Sequence, residues 1–207
     1  PALVMRIDMG NPYNAQRHRV MWAELQNRDE PIIGALEMDA ACVVVNLFML
    51  PDEPELFRQC VSNIAAVRAA CSKYGMPLMI EPLVMLPNDV RGGYQVDGDV
   101  EKIVPLVRLA AEMGADIIKA DPTTNPDDFA RVIDAARVPV LVRGGGKEDL
   151  RTVLNKSAAL LEQGALGLVY GRNIYQHDNP RRVVAALMGM IHKGMSGDEA
   201  WEIYNHG

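Results

Sequence analysis

The amino-acid sequence predicts an α/β fold in which parallel strands alternate with helices, and three observations support this prediction. Apolar and β-branched runs of strand length alternate with longer segments of helical period. Three successive apolar runs, near residues 41–48, 77–84 and 115–120, begin at intervals of 36 and 38 residues. The helices predicted between these runs end in glycine, which suits the left-handed backbone that terminates a helix. Repeated βα units of this kind form either a doubly wound sheet or an eight-stranded (β/α)8 barrel.

Six strands can be placed along the chain, together with helices that have clear ends. The helix near 53–74 ends at Gly75, and the helix near 99–113 ends at Gly114. The strands are predicted near 3–8, 41–48, 77–84, 115–120, 138–143 and 166–170. A barrel needs two more strands. If the fold is a barrel, we expect a single domain over residues 1–207 that lacks its first two βα units, because the first strand follows the start of the chain almost directly.

The composition limits the classes of protein to which the chain can belong. With 207 residues and 49% hydrophobic content, the chain can bury a sizeable core. A net charge of −6 and dispersed Lys and Arg argue against a nucleic-acid partner. No apolar run reaches the length that spans a bilayer, so we expect no membrane partner. An odd number of cysteines in apolar surroundings suits free thiols in a reducing compartment, and a cytoplasmic protein is predicted from Cys42, Cys60 and Cys71.

Lys119 is a candidate nucleophile because it lies near the carboxyl end of an apolar strand, where an ammonium group has little structural use. Strand alternation places Lys119 and Asp121 on one face, which points into the interior if the strands close into a barrel. Asp121 is therefore a candidate substrate-binding residue. Burial there disfavours the charged amine, lowers its pKa and makes it reactive towards carbonyl carbon. The structural alternative is an ion pair between Lys119 and Asp121 or a side chain that reaches solvent.

Other polar residues lie at the ends of neighbouring strands. Arg6 and Asp8 are one pleat apart, so they form either an interior ion pair or a part of a substrate site. Glu81 has no basic neighbour in its own strand. It either pairs with Lys119 or Arg6 across the sheet, or it acts as an acid and base with a raised pKa. Asn46 is interpreted as a hydrogen-bonding residue rather than a catalyst.

Two glycine-containing loops follow the last two predicted strands. Gly144, Gly145 and Gly146 end the fifth strand and are predicted to open a helix, where backbone N–H groups favour an anion. Gly171 and Arg172 follow the sixth strand and offer a backbone amide and a guanidinium. The last two loops of (β/α)8 barrels frequently hold phosphate. The spacing does not match the P-loop or dinucleotide fingerprints, and a tight turn is the alternative for the first loop.

Two segments of the sequence resemble the class I aldolase superfamily, which includes archaeal-type fructose-bisphosphate aldolase, deoxyribose-phosphate aldolase and the autoinducer-processing thiolase. The segment 111–119 (AEMGADIIK) resembles the Schiff-base strand of that superfamily. The segment 164–176, which contains GALG at 164–167 and GRNIYQ at 171–176, is similar to its final phosphate-binding strand and loop. The similarity extends at lower density from about residue 77 to residue 204.

The resemblance implies a TIM (β/α)8 barrel with about six βα units visible in this chain, a covalent imine on Lys119, and a phosphorylated sugar or ketose as substrate. Glu81 would shuttle the proton, and the two glycine loops with Arg172 would hold the phosphate. The strand before the lysine strand has no tyrosine, unlike the archaeal fructose-bisphosphate enzymes. Glu81 there resembles the acidic residue of tagatose-bisphosphate and sulfosugar-phosphate aldolases. The superfamily also implies a homo-oligomer.

Three other functions remain open at this point. They are a non-catalytic sugar-phosphate-binding barrel, an isomerase that uses Glu81 as its base, and an acyl-transferring thiolase of the same superfamily. We expect neither a cofactor nor a metal ion, because the four histidines lie outside the predicted strand ends: His18, His177, His192 and His206.

Overall fold

The computed structural model describes residues 2–11, 22–25, 27–90 and 93–206. The strands in these ranges are β1 (Val4–Arg6), β2 (Met9–Gly10), β3 (Ala23–Glu24), β4 (Cys42–Met49), β5 (Leu78–Pro87), β6 (Tyr94–Val96), β7 (Ile117–Ala120), β8 (Val140–Arg143) and β9 (Gly167–Val169). The helices are α1 (Glu30–Glu37), α2 (Pro54–Tyr74), α3 (Val100–Glu112), α4 (Phe129–Ala136), α5 (Leu150–Glu162), α6 (Arg172–Tyr175), α7 (Pro180–Lys193) and α8 (Gly197–His206).

Six parallel strands form the main sheet, in the order β1-β4-β5-β7-β8-β9. The sheet curls into a half-barrel with helices on its outer side, so the fold is part of a (β/α)8 barrel. Among the described residues, β1 and β9 are the two edges and do not pair with each other. The six predicted strands are confirmed, with ends that differ by up to three residues. The prediction that two βα units of a complete barrel are missing stays a prediction.

The two faces of the sheet have different partners. Outward residues of β4 such as Val43, Val45 and Leu47 are buried with α2 and α3 in the main core. Inward residues form a smaller apolar group, which we call the inner cluster: Cys42, Val44 and Met79, with Val4, Ile117, Leu141 and Val169 packed against them. Because successive side chains alternate between the faces, the sequence of each strand specifies both layers.

The predicted helix ends are confirmed for the two helices that flank β5. Gly75 ends α2 with a left-handed backbone at φ 69°, and Gly114 follows α3 at φ 90°. Only glycine adopts these values without a steric cost, so both residues are explained by backbone geometry. Asp99 caps the start of α3 by accepting a hydrogen bond from the Glu101 amide at 3.0 Å.

Some elements differ from the predictions. The sequence analysis missed β6, which pairs antiparallel with the end of β5, and the short ribbon of β2 and β3. The helix expected directly after the glycine run begins only at Leu150, where Asp149 caps it by accepting from the Thr152 amide. His18 lies outside the described residues. No helix in the described part of the chain has the length and apolar character needed to cross a membrane.

Candidate active site

The site lies one pleat above the inner cluster, at the carboxyl ends of the parallel strands. Successive side chains of a strand alternate between its two faces, so on each of the six strands the next inward position lies two residues after the inner cluster. These residues are Arg6, Asn46, Glu81, Lys119, Arg143 and Gly171. The apolar layer therefore forms the floor of the site, and the next layer is almost entirely polar.

Lys119 points into the half-barrel, as the sequence analysis predicted. Its strand neighbours Ile118 and Ala120 are fully buried on the helix side. The Lys119 side chain is 15% exposed and its Nζ lies 3.0 Å from Glu81 Oε1. Burial lowers the pKa of this amine, while the Glu81 carboxylate opposes the effect; the net direction is downward. A larger fraction of Lys119 is therefore neutral at a given pH than for a solvated lysine.

Three cations converge on the buried carboxylate of Glu81. Lys119 Nζ and Arg143 Nε both lie 3.0 Å from Oε1, and Arg6 Nη2 donates to Oε2. The Glu81 side chain is only 3% exposed. The strand register brings these side chains together. Ile80 is opposite Ile118 on β7, so the residues that follow them, Glu81 and Lys119, are neighbours, and β8 pairs with β7. The predicted cross-sheet pairing of Glu81 with Lys119 and with Arg6 is confirmed.

The alternative prediction, that Glu81 has a raised pKa, is wrong. Burial alone raises the pKa of this carboxyl, but the charges of Lys119, Arg6 and Arg143 outweigh burial and leave the pKa below its usual value. Glu81 is therefore a carboxylate at neutral pH. It is available as a proton acceptor and does not hold a proton in the resting site.

Asp121 and Arg143 form a second buried ion pair next to Glu81. Arg143 Nη1 lies 2.6 Å from Asp121 Oδ1, while Nε of the same guanidinium contacts Glu81. Asp121 is 1% exposed, and its Oδ2 has no hydrogen-bond partner among the described residues. Burial raises the pKa of Asp121 to about 6, against the opposing charge of Arg143. Of the two carboxyl groups that Arg143 contacts, the one with the raised pKa is thus that of Asp121, two residues after the lysine.

The Asp8 carboxylate is held by hydrogen bonds from within the protein. It accepts from the backbone amide of Asn46 at 2.8 Å, from Asn46 Nδ2 at 3.1 Å and from Arg6 Nη1 at 3.0 Å. Burial raises the pKa of Asp8, and the bonds from Asn46 and Arg6 partly offset this. The predicted ion pair of Arg6 with Asp8 is confirmed, and Asn46 takes the hydrogen-bonding role expected of it.

A cavity of about 370 Å³ opens at this end of the half-barrel. Its charged lining side chains are those of Arg6, Glu81, Lys119, Arg143 and Arg172, and its other lining residues are Gly10, Asn46, Phe48, Leu83, Gly144, Gly145, Val169, Gly171 and Tyr175. Three predicted site residues are not in this lining: Asp8, Asp121 and Gly146. Sequence reasoning missed Phe48 and Tyr175. It noted Arg143 as a polar residue at the end of the fifth predicted strand but assigned it no role.

The backbone amides of the two glycine loops differ in whether the fold already uses them for hydrogen bonds. The Gly144 amide donates to the Val169 carbonyl at 3.1 Å, so it is not free for a ligand, and a Cβ there would lie 2.8 Å from the Tyr170 ring. Gly145 and Gly171 line the cavity, and no backbone hydrogen bond occupies their amides within the described part of the chain. Arg172 is exposed at the mouth. The expected contribution of a helix dipole after Gly146 is wrong, because α5 begins later.

Comparison with known proteins identifies the class. The DeoC/LacD family aldolase profile matches residues 1–177. An uncharacterized aldolase of Saccharolobus solfataricus is 30% identical over 98% of this chain and 73% of its own. A 3-hydroxy-5-phosphonooxypentane-2,4-dione thiolase of Shigella flexneri is 33% identical over 88% of this chain and 67% of its own.

A solved structure supports the same assignment. It is an archaeal fructose-1,6-bisphosphate aldolase with the catalytic Lys covalently bound to the carbinolamine intermediate of the substrate. It is 25% identical, with a TM-score of 0.72, over 92% of this chain and 71% of its own. The chain therefore belongs to the DeoC/LacD family of aldolases, and the resemblance noted in the sequence is confirmed.

The raised pKa of Asp121 predicts how stability changes with pH. Between about pH 4 and 6 the folded protein keeps a proton on Asp121 that the unfolded chain has released, so the free energy of unfolding falls as the pH rises. The Asp121→Asn variant lacks this pH-dependent contribution to the free energy of unfolding. Its stability relative to the natural protein should rise by about 1.4 kcal/mol per pH unit across that window and level off above it. Urea unfolding at several pH values measures the difference, and a constant difference would contradict the prediction.

Proposed function

We propose that this protein is a class I aldolase-type lyase, which makes or breaks a carbon–carbon bond of a phosphorylated sugar or ketose through an imine on Lys119. The observation that carries the proposal is the position of Lys119. Its amine lies at the wall of a polar cavity, above an apolar floor and 3.0 Å from a buried carboxylate. A partly buried amine next to a proton acceptor is what imine formation requires.

The chemistry follows from these groups. Neutral Lys119 attacks the substrate carbonyl carbon, and loss of water with uptake of one proton from solvent leaves a protonated imine. Glu81 removes the proton of the substrate hydroxyl, the carbon–carbon bond breaks, and its electron pair moves into the imine to give an enamine. Glu81 then returns the proton to the enamine carbon, and hydrolysis frees the lysine. Because the iminium itself accepts the electrons, the proposed reaction is independent of a metal ion or other cofactor.

The proposed phosphate site is formed by the amides of Gly145 and Gly171 together with the Arg172 guanidinium. Backbone amides that lack a partner and a nearby guanidinium are the donors that phosphate prefers. The loops that carry these groups follow β8 and β9, whereas Glu81 lies on β5. Binding energy from a remote phosphate fixes the position of the reacting carbon. The names of both the solved aldolase and the Shigella relative contain a phosphorylated substrate, which supports the assignment.

A second candidate function is acyl transfer to a thiol. It is favoured by the thiolase relative, which is 33% identical to this chain. The two reactions share the imine on Lys119 and differ in the group that takes the released fragment. Turnover that requires an added thiol such as coenzyme A would assign the protein to the thiolase class. Turnover without a thiol assigns it to the aldolases.

We further propose a cytoplasmic location and a homo-oligomeric state. The three cysteines are free and buried, which suits a reducing compartment: Cys42, Cys60 and Cys71. Family resemblance supports the oligomer.

Trapping of the imine tests the role of Lys119. Incubation with dihydroxyacetone phosphate, the smallest phosphorylated ketose, followed by borohydride should give a stable adduct on Lys119, located by peptide mass analysis. Lys119→Arg should lose both the adduct and turnover, although it keeps a cation beside Glu81. Lys102→Ala is the control, because Lys102 is an exposed lysine paired with Asp97. Persistence of the adduct in Lys119→Arg would refute the proposal.

Replacement of Glu81 by Gln should separate imine formation from proton transfer. Loss of the carboxylate removes the charge that supports the ammonium form of Lys119, so the adduct should still form. Turnover should fall by roughly 10²- to 10⁴-fold because the proton acceptor is gone. Glu81→Asp, which keeps the charge, is measured alongside in case the uncompensated cations destabilise the Gln variant. Near-normal turnover in a folded Gln variant would make Glu81 a structural residue.

Charge reversal at Arg172 tests phosphate recognition. Arg172→Glu should raise KM for phosphorylated ketoses by about 10-fold or more, because a carboxylate that repels the phosphate replaces a guanidinium that donates to it. Unphosphorylated ketoses should be affected much less. Arg181→Glu makes the same change at an exposed residue outside the cavity lining and serves as the control. Equal losses for both kinds of substrate would give Arg172 a structural role.

A further inference from the structure

We propose that Asp121 is a positioning residue that acts through Arg143, holding its guanidinium against Glu81 and balancing its charge so that Glu81 remains an effective proton acceptor. The inference rests on the proposed function, since it assigns Asp121 a part in the proton transfer by Glu81. Asp121 itself does not line the cavity that contains Lys119.

The geometry shows how Asp121 would act. One guanidinium contacts two carboxylates, with Nη1 2.6 Å from Asp121 Oδ1 and Nε 3.0 Å from Glu81 Oε1. Lys119 contacts the same Glu81 oxygen. A planar guanidinium presents its donors in a rigid fork, so anchoring Nη1 on Asp121 also sets where Nε lies. The position of Arg143 therefore depends on Asp121. Arg143 in turn sets how readily Glu81 Oε1 accepts a proton.

The charges of Arg143 and Asp121 predict in which direction Asp121 changes the rate of proton abstraction by Glu81. Arg143 lowers the pKa of Glu81 and so weakens it as a base. Ionised Asp121 neutralises Arg143 and offsets this weakening. When Asp121 takes a proton, the full charge of Arg143 acts on Glu81, and proton abstraction should slow. Imine formation should not slow in the same way, because extra positive charge favours neutral Lys119.

Asp121 is suited to change its charge state near neutral pH. It is buried with an unpartnered Oδ2, and burial raises its pKa to about 6. It also lines a second cavity of about 190 Å³ beneath α5. The charged and titratable groups around it are Arg143, Glu81 and Lys119, together with Glu148, Lys156 and Tyr170 in the wall of the second cavity.

The test measures proton transfer separately from bond cleavage. Imine formation followed by reversible loss of a proton from the adjacent carbon exchanges hydrogen of a ketone for solvent deuterium, with no aldehyde needed. Exchange into dihydroxyacetone phosphate is followed by NMR between pH 5 and 8 at saturating ketone. Dihydroxyacetone is measured as well, because a phosphate group titrates near pH 6 itself.

Asp121→Asn keeps the size and an acceptor oxygen for Arg143 but removes the charge. At pH 8 its exchange rate should be lower than that of the natural protein, on the order of tenfold. The ratio of the two rates should approach one as the pH falls through about 6. Borohydride trapping on Lys119 should be retained. Asp116→Asn is the matched control, since Asp116 flanks the other end of β7, pairs with Arg68 and lies outside the cavity lining.

A double-mutant cycle tests the route of the effect. Arg143→Gln removes both the charge and the fork that joins the two carboxylates. If Asp121 acts through Arg143, adding Asp121→Asn to Arg143→Gln should cause little further loss. If Asp121→Asn does not fold, Arg143→Gln alone decides: its rate relative to the natural protein must rise as the pH falls through about 6, because only the natural protein then loses the charge that balances Arg143.

Three outcomes overturn the inference: a rate ratio independent of pH, equal losses from Asp121→Asn in both backgrounds, or lost trapping in a folded Asp121→Asn variant. Failure of the proposed function looks different. In that case the natural protein shows neither exchange nor an adduct with either ketone.

Discussion

The site depends on one buried carboxylate, that of Glu81, which compensates three cations at once. A carboxylate removed from water costs several kcal/mol unless cations and hydrogen bonds satisfy it. Here Arg6, Lys119 and Arg143 come from three different strands and meet on a fourth. The polar layer of the half-barrel is therefore assembled around Glu81, and removal of this side chain would leave three cations in low dielectric without their shared partner.

The ionic groups alternate in sign across the inner face. Asp8 contacts Arg6, Arg6 contacts Glu81, Glu81 contacts Arg143, and Arg143 contacts Asp121. Lys119 joins this row at its centre. Because burial removes solvent screening, a change in one charge is felt by the neighbours on either side. Burial lowers the pKa of Lys119 and raises that of Asp121, and the opposing charge of the partner offsets each shift in part. For Glu81 the three cations outweigh burial and lower the pKa.

Strand alternation explains how much of this site is predictable from the sequence. The period of two placed Lys119 on an inward face. It would equally have placed Glu81, two residues after the inward Met79, and Arg143, two residues after the inward Leu141. The sign of the Glu81 shift was not predictable, because it depends on which side chains of other strands reach the carboxylate. The depth of Asp121 and the late start of α5 likewise follow from packing across elements, which local periodicity does not encode.

The cavity separates recognition from chemistry across the sheet, because Gly145, Gly171 and Arg172 follow β8 and β9, whereas Glu81 lies on β5. Its charged lining comprises four cations and one carboxylate, so an anionic substrate is favoured before any specific contact is made. Arg172 is exposed, whereas Glu81 is buried in the polar layer above the apolar floor. A phosphate held beside the exposed Arg172 is partly screened by solvent, so it raises the pKa of Lys119 less than a buried anion would. A phosphate placed beside Glu81 would instead compete with that carboxylate for the same cations, and would stabilise the unreactive ammonium form of Lys119.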